Sequence, residues 1–240
     1  PLVGFYLDVI GERLALLRAA GVKMSIRDAR EYAIFHRHLA DFGPEVIVHL
    51  AAIAHIDRAN KDPFSTFDNS LRTLENALDV ARKLGGRLIY FSSSTAYGDF
   101  TKPTVWESDA CNPTGIYGTI KLMGEALTTA YQETYGLPTT IIRPCAVYGP
   151  RCISGRVQQR FIEAASQGHA LVIQDGASLH DFTFVDDLIA GVLAVIDEPE
   201  VANGQIFDFT ITGRSPKLTT TDSLSILLRT GVSSTYIGAE

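Results

Sequence analysis

Two short stretches of this 240-residue chain carry side chains able to move a proton. Ile89-Tyr90-Phe91-Ser92-Ser93-Ser94-Thr95-Ala96-Tyr97-Gly98 reads as a buried strand that ends in hydroxyls. Tyr117-Gly118-Thr119-Ile120-Lys121 sets a phenol and an ammonium four residues apart, on one face of a helix. A free tyrosine has a pKa near ~10 and is a poor base at neutral pH. A cation held beside it favours the phenolate and brings the base closer to working pH. A serine at the strand end can then hydrogen-bond the same substrate oxygen and align it. A Tyr-x-x-x-Lys spacing alone is more often an ordinary helix-surface pair, and the preceding strand of hydroxyls is what argues for chemistry.

The elements that must position these groups follow from apolar runs and their punctuation. Residues 12–20 read as a helix stopped by Gly21, 22–26 as a short strand, and 30–41 as a helix ending near Gly43-Pro44. Residues 46–50 form a continuous apolar strand, 63–84 a long helix closed by Gly85-Gly86, and 87–92 the next strand. The helix at 113–135 carries Tyr117 and Lys121, and 139–143 is the strand after it. Strands alternating with helices of this length predict an α/β fold with a parallel sheet and right-handed crossovers. In such sheets ligands lie beyond the carboxyl ends of the strands, so the turns after Leu50, Ser92 and Arg143 should converge on one crevice. Segments 157–168, 170–173 and 185–196 are expected to build a lobe over it.

Composition narrows the classes. Hydrophobic residues make up 46% and charged residues 20%, as in ordinary globular proteins. A net charge of -6 without a basic block gives no footprint for nucleic acid. No apolar run approaches the ~20 residues of a membrane span, and no leader is recognised before Pro1, so neither a membrane nor a secreted setting is indicated. Three cysteines, Cys111, Cys145 and Cys152, are odd in number and lack metal-type spacing, which suggests a reducing cytoplasm. His49 and His55 have no third ligand at a suitable spacing, so no metal is expected.

Four further segments, in order, resemble the extended short-chain dehydrogenase/reductases of the NAD-dependent sugar epimerase/dehydratase type. They are Val46-Ile47-Val48-His49-Leu50-Ala51-Ala52, the run Asp68 to Ala77, the run Arg143 to Arg151, and the run Asp175 to Asp187. With the Ser/Tyr/Lys set, the likeness runs from about Val22 to about Thr212. It implies a Rossmann-type doubly wound parallel sheet, with residues 1–150 forming an NAD-binding domain and 151–240 mostly a small substrate lobe. It also implies roles. Ser93, four residues before Tyr97, becomes the catalytic hydroxyl beside Tyr117 and Lys121, with Ser92 and Ser94 as the neighbouring alternatives. NAD would be held by Ile26, Leu50, Ala51, Ala52, Asn69, Ser92, Tyr117, Lys121 and Pro144, and substrate by Ser94, Thr95, Ala146 and His180. For Asn69, a cap at a helix start is an equally good reading.

The sequence departs from the family pattern. The Gly-x-x-Gly-x-x-Gly turn that cradles pyrophosphate at a helix N-terminus does not occur in these 240 residues, and the first β-α-β unit is missing from them. Either the sequence is part of a longer polypeptide, which the exposed edge of a sheet lacking its central strand favours, or the product is short and cannot hold a dinucleotide in the usual way. Ser25 stands where the family has an acid against adenine, Ala146 replaces an Asn or Thr, and His180 replaces an anion-binding Arg.

These observations together predict a nucleotide-sugar 4-epimerase of UDP-sugar or UDP-uronic acid type. Ser94 and Thr95 occupy the places of a dehydratase's acid pair, so a dehydratase or decarboxylase is the runner-up. A non-catalytic binding protein that retains the fold is the alternative from another class. A homodimer through the helices at 63–84 and 113–135 is expected from the resemblance.

Overall fold

Val46-Ile47-Val48 and Leu88-Ile89-Tyr90-Phe91 are apolar on both faces, as a strand must be when helices cover both sides of its sheet. The computed structural model describes residues 2–100, 104–152, 157–169 and 182–208. It contains helix α1 (Leu2–Ala19), α2 (Tyr32–Phe42), strand β1 (Val46–His49), α3 (Ile56–Lys61), α4 (Pro63–Phe67), a π-helical turn (Asp68–Arg72) and α5 (Thr73–Leu84). Next come β2 (Arg87–Phe91), a 3₁₀ turn (Ser94–Ala96), α6 (Gly115–Tyr135), β3 (Thr139–Arg143), α7 (Val157–Ser166), α8 (Val185–Asp197), α9 (Pro199–Ala202) and β4 (Ile206–Asp208). The strands form one sheet in the order β1-β2-β3-β4, every pair parallel. Val46 pairs with Arg87, Ile89 with Thr140, and Ile142 with Phe207.

The period-2 alternation of β2 divides the core. Leu88 and Tyr90 pack with Leu74, Leu78 and Ala81 of α5 and Ile120 of α6. Ile89 packs on the other face with Ile142, Phe207, and Leu188 and Val195 of α8. Helices on both faces of a parallel sheet make the doubly wound α/β architecture expected from the sequence. No described helix is long and apolar enough to cross a membrane.

Several expectations need correction. Residues 22–26 are not a strand: they are exposed and unpaired in any ladder, because no described strand lies beside β1 on its open edge. Residues 63–84 run helically throughout, as expected, but not as one regular α-helix. The π turn inserts an extra residue between α4 and α5, so Asn69 lies inside a helical run rather than at a start, and its Nδ2 donates to the Ser65 carbonyl at 2.8 Å. The first helix begins at Leu2, ten residues before the expected start. Residues 185–197 pack on the sheet as α8, and β4 extends that sheet, so both belong to the sheet's own packing. Strand β4 and helix α3 have no counterpart in the sequence reading. Residues 170–181, which include His180 and most of the segment from Asp175, lie outside the described residues.

Candidate active site

Parallel strands all point their carboxyl ends one way, so β2 and β3 deliver Ser92 and Pro144 to the same rim as the turn after β1. The first turn of α6 closes on that rim. A Cβ placed on Gly118 would sit 2.7 Å from the Thr95 carbonyl oxygen and 3.0 Å from Pro113 Cβ. Glycine at 118 is therefore what lets the turn carrying Tyr117 and Lys121 lie against the turn carrying Ser93 to Ala96.

Lys121 is buried to 4% exposure, and its Nζ donates to the Phe91 carbonyl at 2.6 Å. The same ammonium lies 5.9 Å from the centre of the Tyr117 ring and 5.2 Å from that of Tyr90. Burial lowers its pKa from 10.5 to about 8, with the carboxylate of Glu125 pulling the other way. It thus carries its charge at neutral pH with few waters to solvate it. Ser93, also buried, accepts from the Thr95 N–H at 3.2 Å and the Thr95 hydroxyl at 3.0 Å. With both lone-pair directions occupied, the Ser93 hydroxyl can donate outward to a substrate oxygen. Ser94 is buried, and its N–H donates to the Pro144 carbonyl at 3.1 Å, tying the ends of β2 and β3 together.

Beside this patch, past the end of β1, lies a cavity of about 710 Å³. Ile26, Ala51, Ala52 and Asn69 line it together, with Arg58 and Thr73. Four of the residues read from sequence as cofactor contacts therefore share one cavity. Leu50 is 60% exposed and is not among its lining residues. The π turn aims this wall: Ser70 Oγ accepts from the Ile53 N–H at 3.4 Å, and Thr73 Oγ1 donates to the Asn69 carbonyl at 3.0 Å. His49 lies behind the cavity wall, against Thr73. Its Nε2 is 3.2 Å from Thr73 Oγ1, and burial together with the Lys121 charge lowers its pKa from 6.5 to about 4, so the imidazole is neutral. No cluster of three metal-binding side chains occurs among the described residues.

Ser92 is turned the other way. Its hydroxyl donates to Glu125 Oε1, and Glu125 forms a buried ion pair with Arg143 at 2.6 Å. The sequence reading had no place for Glu125, although the spacing 117, 121, 125 continues the same helix face. Ala146 has φ 27, a left-handed conformation that costs an alanine about 1 kcal/mol or more and suits the Asn of the family pattern better.

The geometry can be compared with known proteins. Residues 11–209 match the family model "NAD dependent epimerase/dehydratase family". An uncharacterized UDP-glucose epimerase, YtcB, of Bacillus subtilis (strain 168) is 32% identical over 162 residues, 66% of this chain and 51% of its own length. UDP-glucuronate 4-epimerase 2 of Arabidopsis thaliana is 29% identical over 233 residues, 90% of this chain and 54% of its own length. The structure of UDP-glucuronic acid 4-epimerase from Bacillus cereus, in complex with UDP-glucuronic acid and NAD, superposes with a TM-score of 0.73 at 25% identity. The match covers 81% of this chain and 63% of that one. The chain thus spans about half the length of the curated relatives it matches. With the family model spanning the sheet, the hydroxyl-bearing strand end and the Tyr117/Lys121 helix, the chain belongs to the NAD-dependent epimerase/dehydratase family.

Proposed function

We propose that the protein is a nucleotide-sugar 4-epimerase acting on a UDP-sugar or UDP-uronic acid. The observation that carries the reading is the buried Lys121 ammonium 5.9 Å from the Tyr117 ring centre, on a helix that Gly118 lets pack against the Ser93 turn. In this reading Tyr117, as phenolate, takes the proton from the sugar 4-hydroxyl. Ser93 donates its hydrogen bond to the same oxygen and holds it in line, and Lys121 keeps the phenolate form favourable. After the resulting 4-ketone turns over in the site, Tyr117 returns the proton.

The residues present fit part of an NAD molecule. Ala51 and Ala52 offer a wall without side-chain bulk for backbone approach, and the Lys121 ammonium offers donors suited to the nicotinamide ribose hydroxyls. Arg58 adds a positive charge to the same cavity. NAD, when bound, accepts hydride from the sugar and returns it to the opposite face. No Gly-x-x-Gly-x-x-Gly turn able to cradle the pyrophosphate occurs in these 240 residues.

An epimerase is favoured over a dehydratase or decarboxylase because Ser94 and Thr95 bring hydroxyls, not carboxylic acids, to the turn after Ser93. We also propose a cytoplasmic homodimer. The odd cysteine count supports the compartment. The outward Phe64 (83% exposed), together with Phe67 and Met123 beside a groove of about 450 Å³, supports pairing through α4, α5 and α6.

The test incubates purified protein with UDP-glucose and with UDP-glucuronic acid and resolves the products. An epimer has the mass of its substrate, whereas dehydration lowers it by one water. Tyr117→Phe should cut turnover at least about 100-fold with the melting curve unchanged. An undiminished rate refutes the assigned base, and the absence of both NAD in the denatured protein and any product refutes catalysis altogether.

A further inference from the structure

Glu125 lies one helical turn beyond Lys121 and two beyond Tyr117, and is 4% exposed. Its carboxylate is fully engaged. Oε1 accepts from Ser92 Oγ and from Arg143 Nε at 2.9 Å, and Oε2 accepts from Arg143 Nη2 at 2.6 Å. Arg143 is itself braced, with Nη1 donating to the Glu107 carbonyl at 3.2 Å and its guanidinium 4.6 Å from the Tyr97 ring centre. The pair is bidentate and enclosed. Burial pushes the Arg143 pKa down, but the bonds and charge of Glu125 outweigh this and raise it.

A buried ion pair is weak evidence of stabilisation, since apolar residues of like volume often do as well. A different role follows from what lies around Lys121. Facing the ammonium are the rings of Tyr90 and Tyr117, the neutral His49 and the Phe91 carbonyl. Among the described residues, Glu125 is the carboxylate whose field acts on it.

We propose that Glu125 is a positioning residue for the reaction: braced by Arg143, its carboxylate is the counter-charge that allows Lys121 to remain an ammonium out of water beside Tyr117. The proposal rests on the epimerase reading only for its catalytic consequence. Arg143 orients the carboxylate, Ser92 ties it to the strand end that carries Ser93, and the helix fixes its distance from the lysine.

The experiment titrates Lys121 by NMR in protein labelled with ¹³Cε-lysine, the signal being assigned with Lys121→Met. Glu125→Gln keeps the shape and removes the charge. The proton affinity of Lys121 should fall at least about tenfold, and Glu125→Asp should restore most of it. The basic limb of kcat should move to lower pH while KM for the UDP-sugar stays within about threefold. If Glu125→Gln does not fold with Arg143 left unpaired, the neutral pair Glu125→Gln with Arg143→Met serves instead and should lower the affinity in the same direction. An unmoved Lys121 titration, or one the Asp variant fails to restore, overturns the proposal. The titration needs no turnover, so a shifted lysine in a protein without epimerase activity overturns the reaction and leaves the counter-charge standing.

Discussion

Replacing Lys121 with methionine should make the protein more stable and inactive. An ammonium buried to this degree has its pKa lowered from 10.5 to about 8. Each tenfold loss of proton affinity is worth about 1.4 kcal/mol, so holding the proton in the folded state at pH 7 costs about 3 kcal/mol. Methionine fills a similar volume without charge. It forfeits the 2.6 Å bond to the Phe91 carbonyl, a loss of about 1 kcal/mol. The net gain at pH 7 is then about 2 kcal/mol, or about 4–8 °C in Tm for a chain of this size.

The sign of the pH dependence makes the argument refutable. Below pH 8 both folded and unfolded states carry the proton, and the whole cost is present. Between about 8 and 10.5 the folded state releases the proton first, so the wild type recovers stability as pH rises and the advantage of the variant shrinks. Urea unfolding of both proteins at pH 7 and pH 10 measures this difference directly. A variant less stable than wild type at pH 7, or an advantage that does not narrow by pH 10, would refute the account of a desolvated lysine.

Three other outcomes follow from single observations. His49, buried with its pKa lowered from 6.5 to about 4, stays neutral while the unfolded chain protonates. Its contribution of up to about 3 kcal/mol should be lost as pH falls across that range, and His49→Leu should flatten the acid limb in urea midpoints at pH 7 and 4.5. Gly118→Ala drives a methyl to 2.7 Å from the Thr95 carbonyl. It should cost about 1–3 kcal/mol by calorimetry and lower kcat about 100-fold by separating Tyr117 from Ser93, and an unaltered kcat would count against the close packing of α6. Met123→Glu places a charge beside the apolar groove and should shift sedimentation from dimer to monomer, whereas a wild type that sediments as monomer removes the proposed pairing.

The parts of the fold legible in sequence are those whose signals are local. Residues 46–49 and 87–91 are largely apolar runs between turn residues, 139–143 is a mostly β-branched run after Gly136 and Pro138, and the Tyr117/Lys121 face is a four-residue spacing within one helix. Residues 22–26 have a strand's composition, but a strand exists only through its ladder, and propensity cannot supply a partner. The extra residue at Asp68–Arg72 leaves the apolar pattern of 63–84 looking continuous while rotating Asn69 and Thr73 onto the cavity wall. The grouping of Ile26, Ala51, Ala52 and Asn69 came with the family resemblance, while parallel topology alone sends only the turn after β1, with Ala51 and Ala52, to the carboxyl end of the sheet. The Glu125 to Arg143 pair was not legible, since its members sit 18 residues apart on a helix and a strand, and nothing in either segment marks them as partners.

The features that break local rules gather where the chemistry is proposed. An ammonium lies in the core, a glycine sits inside the first turn of α6, a π turn interrupts a helix, and Ala146 adopts φ 27. Each costs stability relative to an ordinary alternative, and each sets a group against the rim of β2 and β3 or the cavity beside it. The charges there alternate, with Arg143 positive, Glu125 negative and Lys121 positive, running from the end of β3 through α6 toward Tyr117. Because Arg143 holds Glu125 in place through two bonds, the carboxylate cannot swing to neutralise Lys121 by direct contact. The lysine is stabilised enough to keep its proton at neutral pH, yet not so tightly paired that its field is cancelled at the phenol. That intermediate condition is what a base on Tyr117 requires: a direct Lys121 to Glu125 salt bridge would leave the phenolate without support, and loss of the carboxylate should weaken the hold of Lys121 on its proton.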